Sequence, residues 1–186
     1  MHRPKMILLL AAGLALLPMS SARSAPPGVW LDVPFVHQRK KNACGAASLS
    51  MLMRYWEKQQ GEPVPAGARQ NAIEQALDPH DRGIANTAMA VYLRDSGFRV
   101  FAFAGRWDDL RENLSKGRPL IAGLGPPGGK GPLHYVVVAG IDWQRNFVFL
   151  NDPAQRKLFR MTRGQFVAEW RATGQWTLLA VPKLPE

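Results

Sequence analysis

Val33-Pro34-Phe35-Val36-His37-Gln38-Arg39-Lys40-Lys41-Asn42-Ala43-Cys44-Gly45-Ala46-Ala47-Ser48-Leu49 is the stretch whose reading decides the fold. Its first part is extended, because a residue before proline is biased to β geometry, and the segment Leu31–Val36 carries Pro34. Its last part is helical. Leu49, Leu52, Met53 and Trp56 recur at the spacing of one helix face, and Gly61 and Pro63 stop the pattern. Asn42 is the expected cap of that helix. Between the two parts sits Cys44, the single cysteine of the chain. A thiol at a helix start meets unpaired N–H groups and the positive end of the dipole, and both favour thiolate. Cys44 therefore reads as a nucleophile.

Upstream, the first residues follow a three-part pattern. Met1–Lys5 is basic, Met6–Pro18 is apolar, and Ser20–Ala25 offers small residues at cleavage-like spacing. This is the pattern of a secretory signal peptide, expected over 1–24 with cleavage after Ala22 or Ser24. An uncleaved anchor is the rival reading, although the run is short for a membrane span. No cysteine lies near the cleavage region, which excludes a lipoprotein. Arg3, Lys5 and Arg23 would leave with the signal, so the net charge of +10 falls to +7. The remaining basic residues are scattered and not interleaved with aromatics, so nucleic acid is not an expected partner. Stable membrane insertion after cleavage is not expected either. Exported proteins usually pair their cysteines, and a lone thiol in an oxidising compartment risks oxidation, which favours a chemical role.

Downstream, the 186 residues suit one domain, expected over 25–186. After an Ala25–Gly28 lead-in, helices are expected over 68–77, from a cap at Asn86 or Thr87 to Ser96, over 108–116, and from Thr162 to Trp170. Strands are expected over 98–103, 119–124, 134–141, 146–150, 158–161 and 175–181. His134–Ile141 is apolar after its first residue and suits a central strand. The Gly125–Pro132 loop precedes it and is expected to border the cleft. Helices dominate the first half and strands the second, so the class is α+β.

A hairpin centred on Trp143–Gln144 pairs residues whose numbers sum to about 286–288. This sets His134 opposite Asp152 or its immediate neighbours. A carboxylate or amide there fixes the tautomer of the imidazole. Cys44 on a helix packed against the same sheet would meet the other ring nitrogen. The Gln38 amide, with the Cys44 backbone N–H, could hold an oxyanion. Taken singly, Cys44 reads as a small buried hydrophobe, His134 as a strand-end residue and Asp152 as a turn residue. His37 and His80 read as surface-loop residues.

Val-Pro-Phe-x-x-Gln-x5-Cys-Gly-Ala-Ala-Ser-Leu, His-Tyr-Val-Val-Val-x-Gly-Ile-Asp and Asn-Asp-Pro-Ala together resemble the thirty-ninth family of cysteine peptidases. These are papain-like enzymes best known as the leader-removing domain of bacteriocin exporters. The helix Thr162-Arg163-Gly164-Gln165-Phe166-x3-Trp170 is similar to that family's closing segment, so the resemblance spans about Leu31 to Val181. It implies a papain-like fold with the Cys-bearing helix on an antiparallel sheet, and hydrolysis of peptide bonds. By position it implies Cys44 as nucleophile, His134 as base and acid, Asp152 as the residue orienting His134, and Gln38 as oxyanion donor. No cofactor or metal is implied, and the expected partner is a peptide or protein substrate. Exporter-type members are fused to a transporter, whereas the signal pattern here points to an exported branch, periplasmic or extracellular. Double-glycine cleavage and dependence on ATP do not carry over. The rival readings are another acyl transferase or amidase on this scaffold, and a non-catalytic peptide-binding module.

Overall fold

A computed structural model describes residues 27–183 except Pro79, Pro127, Lys130 and Pro132. The expected signal peptide, 1–24, lies outside the described residues. The chain runs β1 (Gly28–Trp30), α1 (Cys44–Gln60), a 3₁₀ turn (Ala66–Ala68), α2 (Gln70–Leu77), α3 (Asn86–Asp95), β2 (Phe98–Ala104) and α4 (Trp107–Ser115). It continues with β3 (Leu120–Leu124), β4 (His134–Asp142), β5 (Phe147–Asn151), β6 (Phe159–Thr162), α5 (Arg163–Arg171) and β7 (Trp176–Pro182). The expected helices and later strands are all present, with ends moved by a residue or two.

The strands form one antiparallel sheet in the order β2-β7-β3-β4-β5-β6, with β1 also paired to β4. Helices cover both faces. On one, α1, α2 and α3 pack against Tyr135, Val137 and Ala139 of β4. On the other, α4 and α5 pack against Val136 and Val138 through Leu110, Leu114, Phe166 and Trp170. Burial on both faces is why β4 is apolar without alternation, and it sits inside the sheet as expected.

Helix α1 departs from the one-stripe expectation. Every residue from Cys44 to Met53 is buried, because the sheet lies on one side of it and α2 and α3 on the other. Its polar residues are satisfied in place: Ser48 Oγ donates to the Tyr135 carbonyl (3.1 Å) and Ser50 Oγ to the Ala68 carbonyl (2.7 Å). Small residues at 45–48 let the helix approach the sheet closely, and a Cβ at Gly45 would crowd Ile84 at 3.2 Å and Tyr135 at 3.4 Å. Gly61 ends the helix as expected, at φ 72°, where a side chain would be strained.

Leu31–Val36 is extended as expected, and a three-residue strand that the sequence did not reveal, β1, precedes it. The ladder with β4 involves Gly28–Trp30; Leu31 N–H still donates to the Ala139 carbonyl of β4 (2.8 Å), and the chain then runs extended outside the ladder to Gln38. Gly140 explains the pairing: a Cβ there would meet the Val29 carbonyl oxygen at 2.7 Å, so β1 approaches β4 only because glycine stands there.

Candidate active site

The hairpin β4–β5 builds one half of the site. Its register nearest the site is Val137 opposite Asn151, and an irregularity between Val138 and Gly140 shifts it by one residue beyond. Extending the near register sets Asp152 beside Val136, on the diagonal from His134, at the upper end of the expected range. The side chains meet: His134 Nε2 and Asp152 Oδ1 are 2.7 Å apart. Asp152 Oδ1 also accepts from the Ala154 N–H at 2.9 Å, which fixes the carboxylate. The preceding residue, Asn151, is fully buried and acts as a clasp that the sequence reading did not single out. Its Nδ2 donates to the Val33 carbonyl (3.0 Å) and its Oδ1 accepts from Leu158 N–H (3.0 Å). The clasp ties the strand end to the segment leading into Gln38.

Helix α1 brings the other half. Cys44 is its first residue and is 7% exposed. With Nε2 taken by Asp152, the nitrogen left for sulfur is Nδ1. Burial pushes the Cys44 thiol up, but the hydrogen bond with His134, the Tyr135 and Gly45 backbone N–H groups and the imidazole charge outweigh it and hold it below its ordinary value. Burial likewise pushes His134 down, and is outweighed by the bonds to Asp152 and Cys44, so His134 rises to about 9. The two shifts agree in direction: each partner favours the charged form of the other, toward thiolate on Cys44 and imidazolium on His134. His134 stands between two cavities, one shared with Cys44 and one with Asp152 and Glu169. Burial raises Glu169, with Asp152 adding to the effect and His134 opposing it, so a second carboxyl shares the far side of the imidazole.

Residues 30–178 match the Peptidase_C39 like family. The chain belongs to that family. A structure from Bacillus anthracis described as a C39-like peptidase is 15% identical, with a TM-score of 0.66, covering 85% of this chain and 99% of its own. The peptidase domain of Streptococcus ComA, a bifunctional ABC transporter of a quorum-sensing pathway, is 21% identical with a TM-score of 0.61, covering 80% and 98%. A double glycine motif protease from an AMS/PCAT transporter, in complex with a leader peptide, is 19% identical with a TM-score of 0.61, covering 83% and 95%. No curated protein matches the chain. The fold is that of C39 and papain-like cysteine peptidases, a mixed-helix, antiparallel-sheet architecture.

In this C39-like chain Gln38 lies where the sequence placed it, at the end of the extended segment. Its backbone N–H donates to the Pro153 carbonyl (3.0 Å), beside Asp152. Its side chain is engaged differently from the expectation. Nε2 donates to the Lys40 and Lys41 carbonyls at 3.1 and 3.0 Å, and Oε1 is buried without a partner among the described residues. The amide thus holds the 39–43 turn that delivers Cys44. Asn42 is not the cap. Ala43 occupies that position with no side-chain bond, and Asn42 Nδ2 donates instead to the Asp81 carbonyl (2.8 Å). Asn86 and Thr87 do not cap α3 either, since Ala85 precedes it and Asn86 is its first residue. Thr162 does cap α5, in a reciprocal box with Gln165. His37 and His80 are exposed and away from the Cys44–His134 pair.

The cleft over Cys44 has a volume of about 680 Å³. Of the loop before β4, Leu133 reaches this cleft, while Gly125, Pro126, Gly129 and Gly131 line an adjoining cavity that shares Leu133 and Asn86. Among the described residues no three His, Cys, Asp or Glu side chains are grouped to hold a metal ion. No helix among them is long and apolar enough to cross a membrane.

Proposed function

We propose that this C39-like chain is a cysteine peptidase that hydrolyses peptide bonds through Cys44, His134 and Asp152, with Gln38 as an oxyanion donor. The observation that carries the reading is the row formed by the depressed Cys44 thiol, the His134 imidazole and the Asp152 carboxylate 2.7 Å from Nε2. The Cys44 sulfur attacks the carbonyl carbon of the scissile bond, and the carbonyl electron pair moves onto oxygen. As the C–N bond breaks, His134 Nδ1 gives its proton to the leaving amine and a thioester remains on Cys44. Water then loses a proton to Nδ1 and attacks the thioester, releasing the acid and restoring the thiol. Asp152 keeps the proton-transferring nitrogen aimed at sulfur and stabilises the imidazolium.

Two donors serve the oxyanion. The Cys44 N–H is at the first helical position and has no partner within the helix. Gln38 Nε2 is the second, and it reaches the oxyanion by exchanging one of its two carbonyl contacts in the 39–43 turn.

The substrate is a peptide or protein segment. The leader-peptide complex of the AMS/PCAT relative supports that class of ligand. The signal-like residues 1–24 support an exported enzyme, periplasmic or extracellular. The test is cleavage of a fluorogenic peptide library by the mature protein and by Cys44→Ala. Cleavage by the former and none by the latter is expected, whereas equal cleavage by both, or none by the wild type, overturns the reading. Adding an amine nucleophile to the same assay separates hydrolysis from acyl transfer.

A further inference from the structure

The cleft over Cys44 has a sign of charge that the chemistry does not use. Among the described residues, the charged side chains lining it besides the Cys44–His134 pair are Lys41 and Arg82, and no described Asp or Glu lines it. Both cations are exposed, and among the described residues neither enters an ion pair. Of the two acids just before Arg82, Asp81 is half-buried and is not among the residues lining the cleft, and Asp78 is already committed: it is 7% exposed and its two oxygens each accept at 2.7 Å, from the Arg82 and Gly83 N–H groups. The two cationic segments are tied together, since Asn42 Nδ2 donates to the Asp81 carbonyl. Lys41 and Arg82 therefore stand on two joined segments that line the cleft. Ile84 and Tyr135 give that cleft buried apolar walls, which focus the field of charges at its rim.

We propose that Lys41 and Arg82 select substrates with an acidic side chain close to the scissile bond, so that the enzyme's substrates are acidic peptide segments. The inference rests on the peptidase reading. The Cys44–His134 pair is net neutral whichever partner holds the shared proton, so the sign of the described cleft lining is set by these two cations. Each exposed pair alone is weak and screened by salt. Two cations acting on one carboxylate in a walled cleft amount to roughly a tenfold preference or more.

The experiment has two arms. In the first, quenched fluorogenic peptides with one position fixed as Glu, Gln or Lys are scanned along the substrate. At one position, Glu is expected to exceed Lys by ~10-fold or more in kcat/KM, with the gap shrinking as NaCl is added. The Lys41→Glu/Arg82→Glu variant, checked for an unchanged melting temperature, is expected to reverse the order. The variant Lys41→Gln/Arg82→Gln should level it and serves if the reversal variant does not fold. In the second arm, the same Glu and Lys peptides are titrated onto Cys44→Ala protein by fluorescence anisotropy. Cleavage with no acid preference, or a preference unchanged in the variants, overturns the inference and leaves the peptidase reading standing. No cleavage by wild type, together with acid-selective binding to Cys44→Ala that the charge variants abolish, overturns the peptidase reading and leaves the acid-selecting cleft. Absence of both overturns both.

Discussion

The two nitrogens of His134 face two regions built in opposite ways. On the Nε2 side, Asp152 comes from the other arm of the same hairpin, eighteen residues away, and the bond is made by local register. On the Nδ1 side, Cys44 arrives on a helix distant in sequence, held by packing on the sheet and by the 39–43 turn that Gln38 closes. The local half fixes tautomer and charge. The long-range half fixes distance. The lesson is that the two halves should fail differently. Damage to the hairpin side should move ionisation, and damage to the loop side should move positioning with ionisation kept.

The largest effect should come from Asp152. Asp152→Ala is expected to lower kcat/KM by ~10²–10⁴-fold, through loss of both orientation and charge. It should also shift the alkaline limb of the pH–rate profile downward. The sign follows from His134, whose proton is held up to about 9 in the folded protein. The acid form needed for amine departure persists below that value and is lost above it, and removing the carboxylate brings the loss to lower pH. Asp152→Asn keeps an acceptor without the charge, so it should move the limb similarly and cost less rate. An unchanged limb in both variants would break the comparison at its local half.

A smaller effect is expected at Gln38. Gln38→Ala should reduce kcat by on the order of 10²-fold if its amide reaches the oxyanion, with the pH limbs in place. A loss confined to KM and melting temperature would instead assign Gln38 to holding the turn alone, through the Lys40 and Lys41 carbonyls.

The same contrast separates what was legible in the sequence from what was not. The hairpin could be read because the turn near Trp143–Gln144 limits the register. The expected register holds at the site, where Val137 faces Asn151; beside the turn it lies one residue beyond the expected range, and the irregularity next to Gly140 brings it back. The body of α1 was legible from the apolar spacing that begins at Leu49 and its end from Gly61, whereas its start near Cys44 was expected from Asn42, which does not cap it. Caps were legible only where the partner is local: Thr162 finds Gln165 three residues on, whereas Asn42 is drawn off by the Asp81 carbonyl. Strand β1 escaped notice because it is three residues long and depends on a glycine in the distant strand β4 to let its backbone in. The burial of α1 on all sides was hidden for a similar reason. Its second cover, α2 and α3, leaves no periodic mark on α1, and Ser48 and Ser50 look exposed until their carbonyl partners are known. The Glu169 carboxyl beside the His134–Asp152 cavity had no sequence signal, since nothing in α5 reveals which turn meets the sheet end.

The most direct test of the account is the pH dependence of Cys44 alkylation by iodoacetamide, measured on the wild type and on His134→Ala. As the single cysteine, Cys44 reports without interference. Burial alone would raise the thiol, and the partners named here lower it. Alkylation in the wild type should therefore remain fast below the ordinary thiol range, with its midpoint moving up when His134 is removed. A midpoint at or above the ordinary value in the wild type, unchanged in His134→Ala, would contradict the thiolate–imidazolium pair on which the proposed chemistry depends.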